Sequence, residues 1–413
     1  MNVPKSTMKF LILLSTLSHF CSQLNQAVRL LLTAALIVLT AAATYSQEED
    51  DRRGGGKKGG NGKPNSKHTD TWSAEEYSGL RGEQNLREAM ASKGFAWLSG
   101  SPADNEKLSV GKNAQFFGFV ALRYQSGRAA NRGMLGRAMF AIADEAQRSR
   151  MAEAVVAEKE ALQEWWEARE TILTLLEDHL YTGLPIDQGK LVSLGVEFSH
   201  LGTQVALHEA IAYAAFEDAM PSQQEELMKG WRANPETAGK YGADTRVTAD
   251  GFERQDQKQL EDLYAKAFSW LTGTPKDNEI IPIGQPAQFF GFVAIRHKSG
   301  HATSRGTIAK DFFKMLNDEQ QLSIEKAVDL QIPVVREFLE NRHEFLTQLA
   351  LLRTDPSSFN QDRLHHVSAE MGRLEMEAAV IEAEVYRAIR SSMNEDQVAA
   401  LMKMRGEYVI DES

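Results

Sequence analysis

From Leu364 to Ile389 apolar residues return every three or four positions: Leu364, Val367, Met371, Leu374, Ala378, Ile381, Val385 and Ile389. That spacing places them on one side of an α-helix, and Glu370, Glu377 and Glu384 fall away from the stripe. It predicts a helix from about Asn360 to Arg390. A longer helix precedes it, from about Asp318 to Leu352, bent where Pro333 removes a backbone donor. Thr354-Asp355-Pro356-Ser357-Ser358 separates the two, and a short helix follows from about Glu395 to Arg405. The same layout occurs earlier in the chain. A helix from about Glu145 to Tyr181 meets a break at Thr182-Gly183-Leu184-Pro185, a second helix runs to about Ala219, and a short one ends at Trp231. The predicted class is all-α: two tandem repeats of long antiparallel helical hairpins with short flanking helices.

A doubled stretch fixes the register of the repeats. Gln115–Gly133 opens Gln-Phe-Phe-Gly-Phe-Val-Ala-Leu-Arg, and Gln288–Gly306 opens Gln-Phe-Phe-Gly-Phe-Val-Ala-Ile-Arg, a constant shift of 173 residues. About two-thirds of the positions match across it. Its unbroken apolar block must be buried on most sides, and Gly127 and Gly300 suit the left-handed end of a short helix. Upstream lie Trp97-Leu98-Ser99-Gly100-Ser101-Pro102 and Trp270-Leu271-Thr272-Gly273-Thr274-Pro275. These read as turns docked on the core by their tryptophans, with Trp97 and Trp270 as candidate binding residues. The resulting plan is an apolar leader over 1–46, a charged Gly-rich linker over 47–77, repeat one over 78–232, a linker over 233–251, repeat two over 252–407 and a tail over 408–413.

The helix starts carry a further signal. Leu316-Asn317-Asp318-Glu319-Gln320 and Met393-Asn394-Glu395-Asp396-Gln397 have the form of capping boxes, with Asn at the cap and Gln three positions on. In repeat one the matching segments are Ala143-Asp144-Glu145-Ala146-Gln147, without the leading Leu, and Met220-Pro221-Ser222-Gln223-Gln224, with Pro at the cap position. In both repeats the paired starts are 77 residues apart. Two such starts bracketing two long amphipathic helices resemble the Spy/CpxP family, periplasmic stress and heavy-metal-resistance proteins with a paired Leu-Thr-x-x-Gln motif. The resemblance covers about half the chain. It implies helical hairpins that dimerise into a cradle, with chaperone or metal-sensing roles, and the tandem copy suggests an intramolecular pseudo-dimer of the two repeats.

The ends and the charge narrow the function. Arg29 followed by the apolar run Leu30–Tyr45 and small residues at Ala41-Ala42-Ala43 has the layout of a signal peptide, so export to the periplasm or cell envelope is expected. Glu48–Thr71 has no large apolar residue and reads as a spacer. A net charge of −11 argues against nucleic acid, which needs a dense basic face, and against adhesion to anionic lipid beyond the leader. The single cysteine, Cys21, excludes a disulfide framework.

Candidate chemistry is sparse. His200 and His208 can share a helix face and suggest an alternative reading in which a divalent transition metal such as zinc is bound or sensed. No histidine, however, is matched between the copies at the 173-residue shift. The copies do share Arg169/Arg342, Glu167/Glu340, Glu197/Glu370, Glu209/Glu382 and Tyr213/Tyr386. Helical Glu and Arg of this kind read as surface partners. No shared His, Cys or Lys is evident with a partnered base, so catalysis and a bound cofactor are not expected. Arg123, Arg132, Arg296 and Arg305 flank the Ser-Gly turns of the doubled stretch as candidate clamps for acidic helices or an anionic partner. The expectation is an exported, non-enzymatic binding protein whose partners are unfolded or envelope proteins, with a structural envelope role as a further alternative.

Overall fold

The computed structural model describes residues 80–100, 132–272 and 305–408, all within one compact unit spanning His68–Ser413. Every regular element among them is helical. In chain order these are α1 (Leu80–Ser99), α2 (Arg132–Ile142), α3 (Glu145–Thr182), α4 (Gln188–Asp218), α5 (Ser222–Ala233), α6 (Gly239–Gly242), α7 (Arg254–Thr272), α8 (Arg305–Met315), α9 (Asp318–Thr354), α10 (Gln361–Ser392) and α11 (Glu395–Tyr408). Under the 173-residue shift α1 corresponds to α7, α2 to α8, α3 to α9, α4 to α10 and α5 to α11. None of these helices is long and apolar enough to cross a membrane.

Local chemistry sets the ends. Asp144 accepts the Gln147 amide N–H while the Gln147 side chain accepts from the Asp144 N–H, closing a capping box at the start of α3. Asn317 and Gln320 do the same for α9, and Asn394 and Gln397 for α11. Pro221 offers no side-chain cap to α5. Gly183 stops α3 in the left-handed conformation, φ 78°, a backbone state closed to most side chains. Pro333 lies inside α9, whose helix continues through it.

The short link after α3 folds α4 back along it, and the Gln147 amide reaches the Phe216 carbonyl at the far end of α4, 3.1 Å away, so the pair runs antiparallel. α9 and α10 pair in the same sense, with Gln320 Nε2 3.0 Å from Ser392 Oγ. Of the stripe read from the sequence, Leu364, Val367, Met371, Leu374, Val385 and Ile389 are buried. Met376, Ala379, Ala383 and Tyr386 are buried as well. The covered face is wider because α10 packs on α9 on one side and on α4 on the other.

α4 and α10 cross at a pair of glycines. A β-carbon on Gly195 would lie 2.7 Å from the Gly372 carbonyl oxygen, and one on Gly372 would overlap the Gly195 carbonyl, so only hydrogen atoms fit there. One turn away, Ser199 and Ser368 face each other with their hydroxyl oxygens 3.0 Å apart. Adding 173 to 195 and 199 gives 368 and 372, so these two contacts are images of one another under a local pseudo-twofold. Thr203, which donates to Ser368 at 2.5 Å, and Met376, which lies against Gly195, form the next related pair.

The helices that precede the hairpins are exchanged. α1, from repeat one, packs on α8, α9, α10 and α11 of repeat two; α7, from repeat two, packs on α2, α3, α4 and α5 of repeat one. Phe95 of α1 meets the Phe312 ring edge-on, and Tyr264 of α7 meets the Phe140 ring in the same way. Each exchanged helix keeps a tie to its own repeat at its last turn. The Trp97 carbonyl accepts from Tyr181 Oη at 3.1 Å, and the Trp270 carbonyl from an Arg353 guanidinium N–H at 3.2 Å.

The segment 233–251, read as a linker, is partly built into the fold. It contains α6, and Gly242 sits against the α2 backbone while its carbonyl accepts from Arg137 at 3.1 Å. The doubled stretch, with the helices expected to close at Gly127 and Gly300, lies outside the described residues apart from its last residues, which open α2 and α8.

Candidate functional site

Where each exchanged helix meets the other repeat, an ion pair is buried. Lys93 of α1 donates to Glu382 Oε1 of α10 at 2.6 Å, and Lys266 of α7 bonds Glu209 Oε1 of α4. Both lysines and both glutamates correspond at the 173-residue shift, so the two joints are copies of one construction. With the Lys266–Glu209 joint on repeat one as the first and the Lys93–Glu382 joint on repeat two as the second, the second pair is 5% and 4% exposed at its side chains, which removes nearly all solvent screening. Breaking such a pair from one side strands the other charge, at a cost of about 3–5 kcal/mol.

A tyrosine and a third polar group complete each joint. In the second, Tyr386 donates to the Met90 carbonyl of α1 at 2.8 Å, and the Gln331 amide donates to Glu382 Oε1 at 3.1 Å and to the Ala378 carbonyl at 2.9 Å. In the first, Tyr213 lies beside Glu209, and Glu158 occupies the place of Gln331. Gln259 of α7 donates to Glu158 Oε1 at 2.6 Å. Each joint leaves one buried carboxylate oxygen without a hydrogen bond, Oε2 of Glu158 in the first and Oε2 of Glu382 in the second.

The electrostatics of the first joint follow from burial. Desolvation, and then the nearby Glu209, push the Glu158 carboxyl up from 4.5 to about 8, against the pull of Lys266 and Gln259. Glu209 is raised by the same desolvation despite its bond to Lys266. For Lys266 burial favours the neutral form, but Glu209 and Glu158 outweigh it and its affinity for the proton is raised.

A second construction closes the open end of each hairpin. Gln147 and Gln224 bond through their side-chain amides at 3.0 Å, and Gln224 also donates to the Ile142 carbonyl at 2.5 Å. Gln397 donates to Gln320 Oε1 at 2.7 Å and to the Met315 carbonyl at 3.0 Å. The paired helix-start glutamines, 77 residues apart in each copy, therefore clasp each other and tie the short helix to the one before the hairpin.

The other residues singled out in the sequence are placed as follows. Trp97 and Trp270 are 0% and 2% exposed in the final turns of α1 and α7, so they are core residues inside helices and their rings offer no surface to a partner. Arg132 and Arg305 are the first residues of α2 and α8; Arg123 and Arg296 lie outside the described residues. His200 and His208 stand two turns apart on α4, about 12 Å along the helix axis. His200 instead meets His365 of the other repeat edge-on, ring centres 5.6 Å apart. Among the described residues no group of three or more potential ligands gathers.

The shared charged residues divide. Glu167 and Glu340 are exposed as expected, whereas Glu209, Glu382, Arg169 and Arg342 are buried, which overturns the surface reading for those four. The lysines Lys93 and Lys266, paired with shared glutamates of the opposite repeat, also correct the expectation that no shared lysine has a partnered base. The signal was present in the sequence: Lys266 lies inside the apolar run Leu263-Tyr264-Ala265-Lys266-Ala267-Phe268, where a solvated lysine does not belong. No protein-family model, curated protein or solved structure matches the chain.

Proposed function

We propose that the chain is an exported helical binding protein of Spy/CpxP-like type, acting on unfolded envelope proteins or on another envelope protein rather than by catalysis. The observation that carries this reading is the glutamine clasp. The residues that resemble the family's paired motif act on one another at the mouth of both hairpins, which gives the paired spacing a mechanical role in this chain. The pseudo-twofold crossing supports the same reading, with the two repeats serving as halves of an internal pseudo-dimer where the family uses two chains. Exposed apolar side chains stand singly on the long helices, Val156 and Ile211 in repeat one and Leu322 and Leu330 in repeat two. Apolar contacts dispersed among charges suit weak, reversible engagement of partly folded chains better than one tight site.

Two assays test it. Full-length mature protein should suppress aggregation of several unrelated clients at near-stoichiometric ratios, and affinity capture from the native envelope should enrich the same class of proteins. Failure to suppress any client, together with capture of nothing above background, would overturn the proposal.

A further inference from the structure

The joints serve as controls for each other, because the Lys–Glu pair is common to both while Glu158 stands opposite Gln331 and Asp262 opposite Ala89 at the 173-residue shift. In the second joint Gln331 is neutral, leaving one lysine against one glutamate. In the first, Glu158 faces Glu209 and Tyr213 from α4 and Lys266 and the neutral Gln259 from α7, and Asp262 of α7 acts on Glu209 and Lys266 beside it. On its own helix the neighbouring Lys159 is engaged with Asp256 of α7 at 3.1 Å on the exposed flank. Lys266, the cation bonded to this carboxylate cluster, already serves Glu209. Glu158 is 1% exposed, so water cannot supply the missing compensation.

We propose that the first joint is a proton-operated latch: protonated Glu158 imitates Gln331 and keeps α7 seated on repeat one, and loss of that proton to solvent places an uncompensated charge beside Glu209 and releases α7. With the carboxyl raised to about 8 in the seated state, the loss of its contribution is spread over the pH range below that value and ends near it. The sign follows from linkage. The proton is held more tightly in the seated state than in the released one, so the contribution is complete below about 4.5 and is lost as pH rises through about 8. Release bares Leu260, Leu263, Tyr264 and Phe268, all buried in the seated state.

Hydrogen exchange on the full chain, corrected for the intrinsic pH dependence of amide exchange, tests this helix by helix. Protection of Arg254–Thr272 should fall about tenfold between pH 6 and pH 7, as expected for one titrating group, and level off above about pH 8. Leu80–Ser99 should keep its protection over that range. Glu158→Gln should abolish the fall, and Gln331→Glu should transfer it to Leu80–Ser99. Should Gln331→Glu fail to fold, Glu158→Gln decides alone. A fall that survives in Glu158→Gln, or equal behaviour of both helices in the unmodified chain, would overturn the latch.

Discussion

The crossing of α4 and α10 and the joints that flank it obey the same pseudo-twofold, yet they tolerate difference to different degrees. At the crossing the backbones touch, and the related contacts Gly195–Gly372 and Ser199–Ser368 are all made by small residues. At the joints the Lys–Glu pair is kept in both copies while the third residue is Glu158 in one and Gln331 in the other. Backbone contact leaves no room for a larger side chain, whereas a buried carboxyl and an amide have nearly one shape and differ in charge. Steric constraint therefore holds the centre, and electrostatic asymmetry is permitted at the periphery.

The comparison is broken most severely by stranding a charge. Lys266→Met should cost about 3–5 kcal/mol in urea unfolding, and adding Glu209→Gln should recover most of the loss. Next comes Gly372→Ala, whose methyl group must push the two helices apart; about 2–3 kcal/mol is expected from such overpacking. Ser368→Ala at the same crossing should cost nearer 1 kcal/mol, as it removes only hydroxyl contacts. The clasp follows: Gln224→Ala and Gln397→Ala should each cost about 1–2 kcal/mol, with Gln224 the larger because it is the more buried of the two. Smallest is Arg373→Ala. Its bonds to Glu337, Glu370 and Glu377 are part-exposed, so less than about 1 kcal/mol is expected, diminishing further in high salt.

Much of the helical layout was legible in the chain. Apolar spacing, capping residues and Gly or Pro breaks act within a few residues of where they stand, so helix ends at Glu145, Asp318 and Glu395 follow from local chemistry. The exchange of α1 and α7 was not legible. Periodicity says which face of α7 is apolar, but the two hairpins offer nearly equivalent grooves, and sequence pattern cannot choose between them. The same limit hid the joints: Glu209 and Glu382 read as solvated because their lysines belong to the opposite repeat. Trp97 and Trp270 were misplaced at turns because Gly100 and Gly273, close behind them, signal a helix end that falls just after the ring.

The exchange itself is tested most directly by asking which glutamate Lys93 answers to. Double-mutant cycles on the full chain would combine Lys93→Met with Glu382→Gln in one case and with Glu209→Gln in the other, each read by urea unfolding. The exchanged arrangement predicts a coupling of about 2–3 kcal/mol with Glu382→Gln and additivity with Glu209→Gln. Coupling of Lys93 to Glu209, with additivity toward Glu382, would place α1 on its own repeat and contradict the account.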